Sequence, residues 1–167
     1  MVGPLVTIIG LLLVVLAAAA ATFVIGMRRK SPVVTGAVIA LTKRFINPGA
    51  LQTAGQSGAT AGVVHHRGRT TGAAYATPVD IIPAGDAFLI ALPYGTRAQW
   101  VRNVLAAGSA ELTVDGTTWM ADRPELVPTD QVQDAFPRSD QLGFRLLGTD
   151  RCLRLRRGEA ISDRPAA

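Results

Sequence analysis

The densest run of residues able to do chemistry is His65-His66-Arg67-Gly68-Arg69-Thr70-Thr71-Gly72, which continues through Tyr75 to Thr77-Pro78. Val63 and Val64 lead in, and the mostly apolar Val79 to Ile82 follows, so the run reads as strand, tight turn, strand. Glycine lets the backbone take positive φ and approach a ligand closely. Successive N–H groups, Thr hydroxyls and a guanidinium suit an anion such as phosphate or carboxylate. An ordinary solvated hairpin turn uses the same residue types. The residues alone leave both readings open.

Several other chemistries lack their residues. His65 and His66 are the two histidines of the chain, and as strand neighbours they point to opposite faces. A shared metal, and hence a metal site, is not expected. There is no Gly-x-Ser-x-Gly elbow and no Rossmann or Walker glycine pattern. Cys152 is single, so no intrachain disulfide is possible, which fits a reducing compartment. It reads as a strand residue rather than a nucleophile. With 5% aromatic residues and no interleaved basic-aromatic module, nucleic acid is not an expected partner. Cofactor binding is the chemistry that remains.

The elements around the turn follow from periodicity. Strands are expected at about 61–66 and 73–82, with a hairpin turn at Pro83-Ala84-Gly85-Asp86. Ala87 to Leu92 is an unbroken apolar run and suits a strand buried on both faces. Thr96-Arg97-Ala98-Gln99 has the form of a capping box. It opens a helix with Trp100, Val101, Val104 and Leu105 on its apolar face and Gly108 at its end. Ala110, Leu112 and Val114 alternate with polar neighbours, Asp115-Gly116 signals a tight hairpin, and Thr117 to Val127 returns. Thr129 is placed as the cap of a short helix through Phe136. A last strand covers Cys152 to Arg156, and beyond Arg157 the tail should fray. Six strands and one central helix make a small antiparallel barrel.

The first segment is of another kind. Met1 to Met27 carries no charged side chain, so the remainder holds all 17 Lys+Arg, all 12 Asp+Glu and the whole net charge of +5. Residues 2–27 are long enough to cross a hydrocarbon core of about 30 Å as a helix. A cleaved signal peptide is the competing reading, weakened by the lack of a preceding Lys or Arg. Arg28-Arg29-Lys30 follows at once, which places that end in the cytoplasm. A single-pass anchor in the cell membrane, partnered by the lipid bilayer, is expected. Ser31-Pro32 then starts a helix bearing Val34, Val38, Leu41 and Phe45 on one face. It would either lie on the membrane surface or cover a barrel mouth. Asn47-Pro48-Gly49 is read as its stop and Leu51 to Ala61 as a linker.

Gly68-Arg69-Thr70-Thr71-Gly72 with Thr77-Pro78 resembles the G-R-x-[ST]-G…TP stretch of the deazaflavin-dependent nitroreductase family. The resemblance continues through Ala87 to Leu92, Pro93-Tyr94-Gly95 and the helix with Trp100-Val101-Arg102-Asn103-Val104, covering roughly residues 45–157. It implies a mainly β chain with helices: a split antiparallel β-barrel of the FMN-binding type, here behind an N-terminal transmembrane helix. The expected organisation is 1–27 anchor, 28–60 juxtamembrane helix and linker, 61–157 barrel and 158–167 tail. The resemblance also implies a deazaflavin coenzyme (factor 420), with FMN as the alternative, and hydride transfer to a small-molecule acceptor. It carries cofactor binding onto Arg69, Thr70, Thr71 and Gly72, and further onto Thr77, Pro78, Trp100 and Asn103. Trp100 fits the core equally well. Arg67, Arg69 and Arg97 would neutralise the coenzyme's anionic tail if their two loops converge. Family members carry tyrosines near the C-terminus that help form the substrate pocket, whereas Phe136 to Leu147 has none. No catalytic residue is therefore assigned, and a non-catalytic lipid- or flavin-binding barrel is the rival reading. A homodimer, or a partner in a membrane complex, completes the expectations.

Overall fold

The structure, a computed structural model, describes residues 2–161. In chain order its elements are α1 (Val2–Arg28), α2 (Pro32–Leu41), α3 (Asn47–Ala50), β1 (Gly62–Arg67), β2 (Ala74–Val79), β3 (Ile82–Ala84), β4 (Ala87–Ala91), α4 (Gln99–Ala107), β5 (Ser109–Val114), β6 (Thr117–Pro128), α5 (Arg138–Leu147) and β7 (Arg151–Ile161).

The strands form one antiparallel sheet in the order β2-β1-β5-β6-β7-β4-β3. Laid flat, with strands about 4.8 Å apart, its edges would lie roughly 29 Å from each other. Yet the two edge strands, β2 and β3, are separated in sequence by Asp80 and Ile81 alone. Three residue steps reach at most about 11 Å. The sheet must therefore curl until its edges meet at this link, and a split antiparallel β-barrel results. Irregular pairing of β6 with β7, between Trp119 and Ala121 and between Asp122 and Glu125, supplies bend. Arg123 sits there with φ 51°.

Inside the curl lie Val64, Phe88, Ile90, Leu112, Leu153 and Leu155. α4 closes one mouth, and its Val101 and Val104 are both fully buried in the same cluster. Burial of each contributes about 1.5–3 kcal/mol. Gly108 ends α4 with φ 73°, where a side chain would be strained. On the outer face Leu89, Val127, Phe136 and Cys152 form a second cluster, with Phe144 of α5 against it. β4 is thus buried on both faces, as its apolar run implied. Cys152 is wholly buried in β7, and burial pushes its thiol pKa up.

Five local expectations are corrected. The stretch 73–82 is two strands, because the chain crosses between sheet edges at Asp80-Ile81; hence seven strands instead of six. Asn47-Pro48-Gly49 does not stop the helix: a π turn, Thr42–Ile46, leads straight into α3. Pro48 is tolerated there because it stands in the first turn, where its missing N–H is not needed. No capping box forms at Thr96, since α4 begins at Gln99 with Ala98 as cap and no side-chain cap bond. Thr129 opens a 3-10 turn rather than an α-helix, and the true helix is α5, further on. β7 runs to Ile161, well past Arg157.

The linker is also tied down. Gly55 N–H donates to Ala61 O, Gly116 N–H donates to Gly55 O, and Gly58 N–H donates to Asp115 Oδ1. It rests on the β5–β6 hairpin, whose Asp115 and Gly116 both have positive φ, as that tight turn requires.

α1 stands clear of the barrel along most of its length, then joins it. Leu5–Arg28 is the one helix among the described residues long and apolar enough to cross a membrane, with mean hydropathy 2.9. Met27 is buried at 1% exposure, and Arg28 Nη1 donates to Arg145 O of α5 at 2.6 Å. Lys30 Nζ donates to Pro93 O and Leu147 O. Gly26 allows the α1–α2 corner, since a Cβ there would stand 2.5 Å from Val34 Cγ2.

Candidate functional site

The turn between β1 and β2 is held against α4 by one buried amide. Asn103 is 5% exposed on α4 and would be costly to bury without partners. Its Oδ1 accepts from Arg69 N at 3.3 Å and from Arg69 Nη1 at 3.0 Å. Its Nδ2 must then be the donor on the other side, and it meets His66 Nδ1 at 3.1 Å. His66 Nδ1 is therefore an acceptor and Nε2 carries the proton, which it offers to Thr77 Oγ1 at 3.2 Å. The neutral tautomer is also the favoured one. Burial, then the neighbouring His65 and Lys43, push the His66 pKa below its ordinary 6.5. Tyr75, opposite His66 across the strands, stacks on its ring at 5.5 Å.

Arg69 is gripped along one edge only. Nη1 donates to Asn103 Oδ1 and, at 2.8 Å, to Gln99 Oε1. Nε and Nη2 have no partner among the described residues, and the side chain is exposed. Those two groups form the planar edge that pairs bidentately with carboxylate or phosphate. The ion pairs Arg154–Glu125 and Arg156–Asp122 lie on other strands.

The turn itself is shaped by glycine. Gly72 has φ 68°, its N–H donates to Gly68 O, and its carbonyl accepts from Arg67 Nη1. A Cβ on Gly68 would stand 2.7 Å from Thr71 Oγ1 and 3.1 Å from Tyr75 Cε2. Thr71 Oγ1 accepts from Ala73 N–H. Thr70 and Thr71, which follow Arg69 in the turn, keep their own amide N–H groups unpaired among the described residues. That is an anion cradle in its donor set.

Of the residues expected from sequence, the fold brings Arg67, Arg69, Thr70, Thr71, Gly72, Thr77 and Asn103 into one bonded cluster or its turn. Pro78 lies in β2, an edge strand that tolerates its missing N–H. Trp100 packs against the main core cluster. Arg97 is exposed on the loop before α4, two residues from Gln99. His65 points away and pairs with Thr113 Oγ1, as adjacency to His66 required. His66, Tyr75 and Gln99 were not anticipated as site residues. The cross-strand register that pairs His66 with Tyr75 depends on the length of the turn, and nothing in the local sequence reports it.

No family model and no curated protein matches the chain. Among solved structures it is similar to an F420 reductase, at 12% identity over 62% of this chain and 90% of that one, with TM-score 0.48. It is also similar to an F420-H2-dependent reductase, at 9% identity over 57% and 93%, with TM-score 0.44. A protein of unknown function from Agrobacterium tumefaciens gives 18% identity over 72% and 57%, with TM-score 0.45. What those proteins bind is a property of those proteins.

Proposed function

We propose that this chain is a membrane-anchored oxidoreductase that uses a deazaflavin coenzyme to reduce a small, lipid-soluble acceptor such as a quinone. A nitro compound is the polar alternative. The observation that carries the reading is the half-clamped Arg69: one edge fixed by Asn103 and Gln99, the other open, in a turn whose next two amides are unpaired among the described residues. This donor set fits the phosphate and carboxylates of such a coenzyme. When bound, the coenzyme supplies a hydride from its reduced ring.

The protein's own part is binding and orientation. Arg69 would hold the anionic portion, with Arg67 of the same turn and Arg97 of the loop before α4 as further cations. Asn103 would keep Arg69 from swinging into solvent, so that little side-chain freedom is lost on binding. His66 and Tyr75 would offer a stacked surface to a flat ring at the same mouth of the barrel. Support for the anchor is the apolar α1 followed by Arg28-Arg29-Lys30, which favours a cytoplasmic barrel.

Titration of the full-length protein in detergent with deazaflavin coenzyme and, separately, with FMN tests the reading through ring fluorescence. Saturable binding of the deazaflavin that Arg69→Ala weakens is the expected result. Saturation by FMN alone would assign the barrel to the other cofactor. Binding of neither would end the oxidoreductase proposal.

A further inference from the structure

Two helices abut the exit of α1, and each carries an apolar stripe that none of the described residues covers. On α5, Arg138, Leu142 and Leu146 are spaced by four and share one face. Leu142 is 65% exposed and Leu146 55%. On the arm formed by α2 and its π turn, Val33, Leu41, Phe45 and Ile46 are 57–78% exposed. Phe144, by contrast, turns inward onto Phe136. The outward leucines of α5 are thus not a misplaced core.

The position of these stripes narrows what could cover them. α5 touches α1 at the last residues of its apolar run, through Arg28 Nη1 to Arg145 O and through Gly148, whose Cβ would meet Arg28 Cα at 3.2 Å. α2 leaves α1 at the Gly26–Val34 contact. Any bilayer crossed by α1 must have its surface at this level. Charge agrees with the position. Residues 28–50 contain Arg28, Arg29, Lys30, Lys43 and Arg44 and no acid, and on α5 Arg138 and Arg145 flank the leucines, with Asp140 the one acid of that helix. Apolar side chains interleaved with cations suit the interface of an anionic membrane.

We infer that the barrel does not hang from a flexible tether but sits on the bilayer, with the α2–π arm and the outer face of α5 both embedded at the headgroup level. The inference rests on the anchor reading of α1. It adds a fixed orientation. α3, at the end of the arm, packs against β2, the strand that carries Tyr75 and Thr77. The arm therefore runs from the anchor to the candidate site, and the mouth of that site lies beside the lipid surface.

The test uses the full-length protein in vesicles of equal parts phosphatidylcholine and phosphatidylglycerol. Single cysteines are introduced as Val14→Cys, Phe45→Cys, Leu142→Cys, Leu146→Cys and Glu159→Cys and labelled with an environment-sensitive fluorophore. The native Cys152 is fully buried and does not compete for label. Position 159 lies far along β7 from Arg151, which joins the α1 end of the barrel through the Leu92 N–H to Arg151 O bond. Spin-labelled lipid should quench labels at 14, 45, 142 and 146 and leave 159 bright. Quenching at 14 without quenching at 45 and both α5 positions overturns the seat and leaves the anchor standing. Quenching on one helix alone overturns the two-helix seat. Blue-shifted but unquenched labels at 45 and 142 would mean that protein, such as a second copy, covers the face. No quenching at 14 would reject the anchor reading and this inference with it.

Discussion

Asn103 and Arg69 meet twice, through the arginine's backbone N–H and through its Nη1, although 34 positions separate them in the chain. One buried carbonyl oxygen thus fixes both the turn and the guanidinium that the turn presents. Arg69→Ala should weaken coenzyme binding by about 1–3 kcal/mol, as for loss of a charge-assisted hydrogen bond. Asn103→Ala should weaken binding comparably and also lower stability by about 1–3 kcal/mol, since it orphans partners of a buried group. The two should not add in a double-mutant cycle. Independent effects, read by fluorescence titration and thermal melts, would break the link between clamp and site. Raised salt should weaken wild-type binding.

Protonation of His66 should disrupt the same clamp. Its Nδ1 accepts from Asn103, so a proton there sets donor against donor. Burial and the nearby His65 and Lys43 hold its folded pKa below 6.5. The unfolded chain therefore takes the proton first as pH falls. Stability is whole above the unfolded value and is lost as pH drops through the folded one. Coenzyme affinity and melting temperature should fall together on acidification from neutral pH. His66→Gln should flatten that dependence, and an unchanged acid slope in the variant would assign it to other groups.

The junction of α1 with the barrel should be sensitive to single atoms. Met27→Ala should destabilise by about 2–5 kcal/mol, the range for emptying a buried site. Gly26→Ala should cost about 1–3 kcal/mol by overpacking against Val34. Thermal melts of full-length protein in one detergent would measure both. A version cut at residue 28 lacks Met27 and should melt lower than one beginning a few residues earlier.

If α1 anchors the barrel, acceptor choice should follow from that location. With coenzyme bound, full-length protein in lipid should reduce a membrane quinone analogue faster than a polar nitroaromatic. Lipid vesicles should raise the quinone rate over detergent by roughly an order of magnitude through effective concentration. Equal rates in both media would remove the lipid-soluble acceptor and leave the cofactor assignment untouched.

The turn, α4 and the β5–β6 hairpin were legible in sequence because each rests on local chemistry: Gly72, Gly108 and Asp115-Gly116 all take positive φ. Asn103 entered only through the family resemblance, and its burial against the turn is a matter of tertiary packing. His66 was not legible, because its role comes from register with Tyr75 and from a contact with α4. The break at Asp80-Ile81 was hidden for a similar reason. Val79 and Ile82 look like one strand locally, and only the order of the whole sheet separates them. The helix α5 was missed because its stripe is short and half of its apolar residues face outward.

The Asp80-Ile81 link has a consequence for how the barrel is assembled. It is the shortest connection between strands that do not pair, and it straps together margins that five other strands separate. The link keeps those margins close from the outset, so the slow part of closure is the long-range registering of the intervening strands into a curled sheet. The strap also acts as a gauge. Residues inserted at this point would let the sheet relax toward flatness and would change the gap between the β1–β2 turn and α4. The reach of Arg69 to Asn103 is in that sense set on the other side of the seam, by two residues that touch neither.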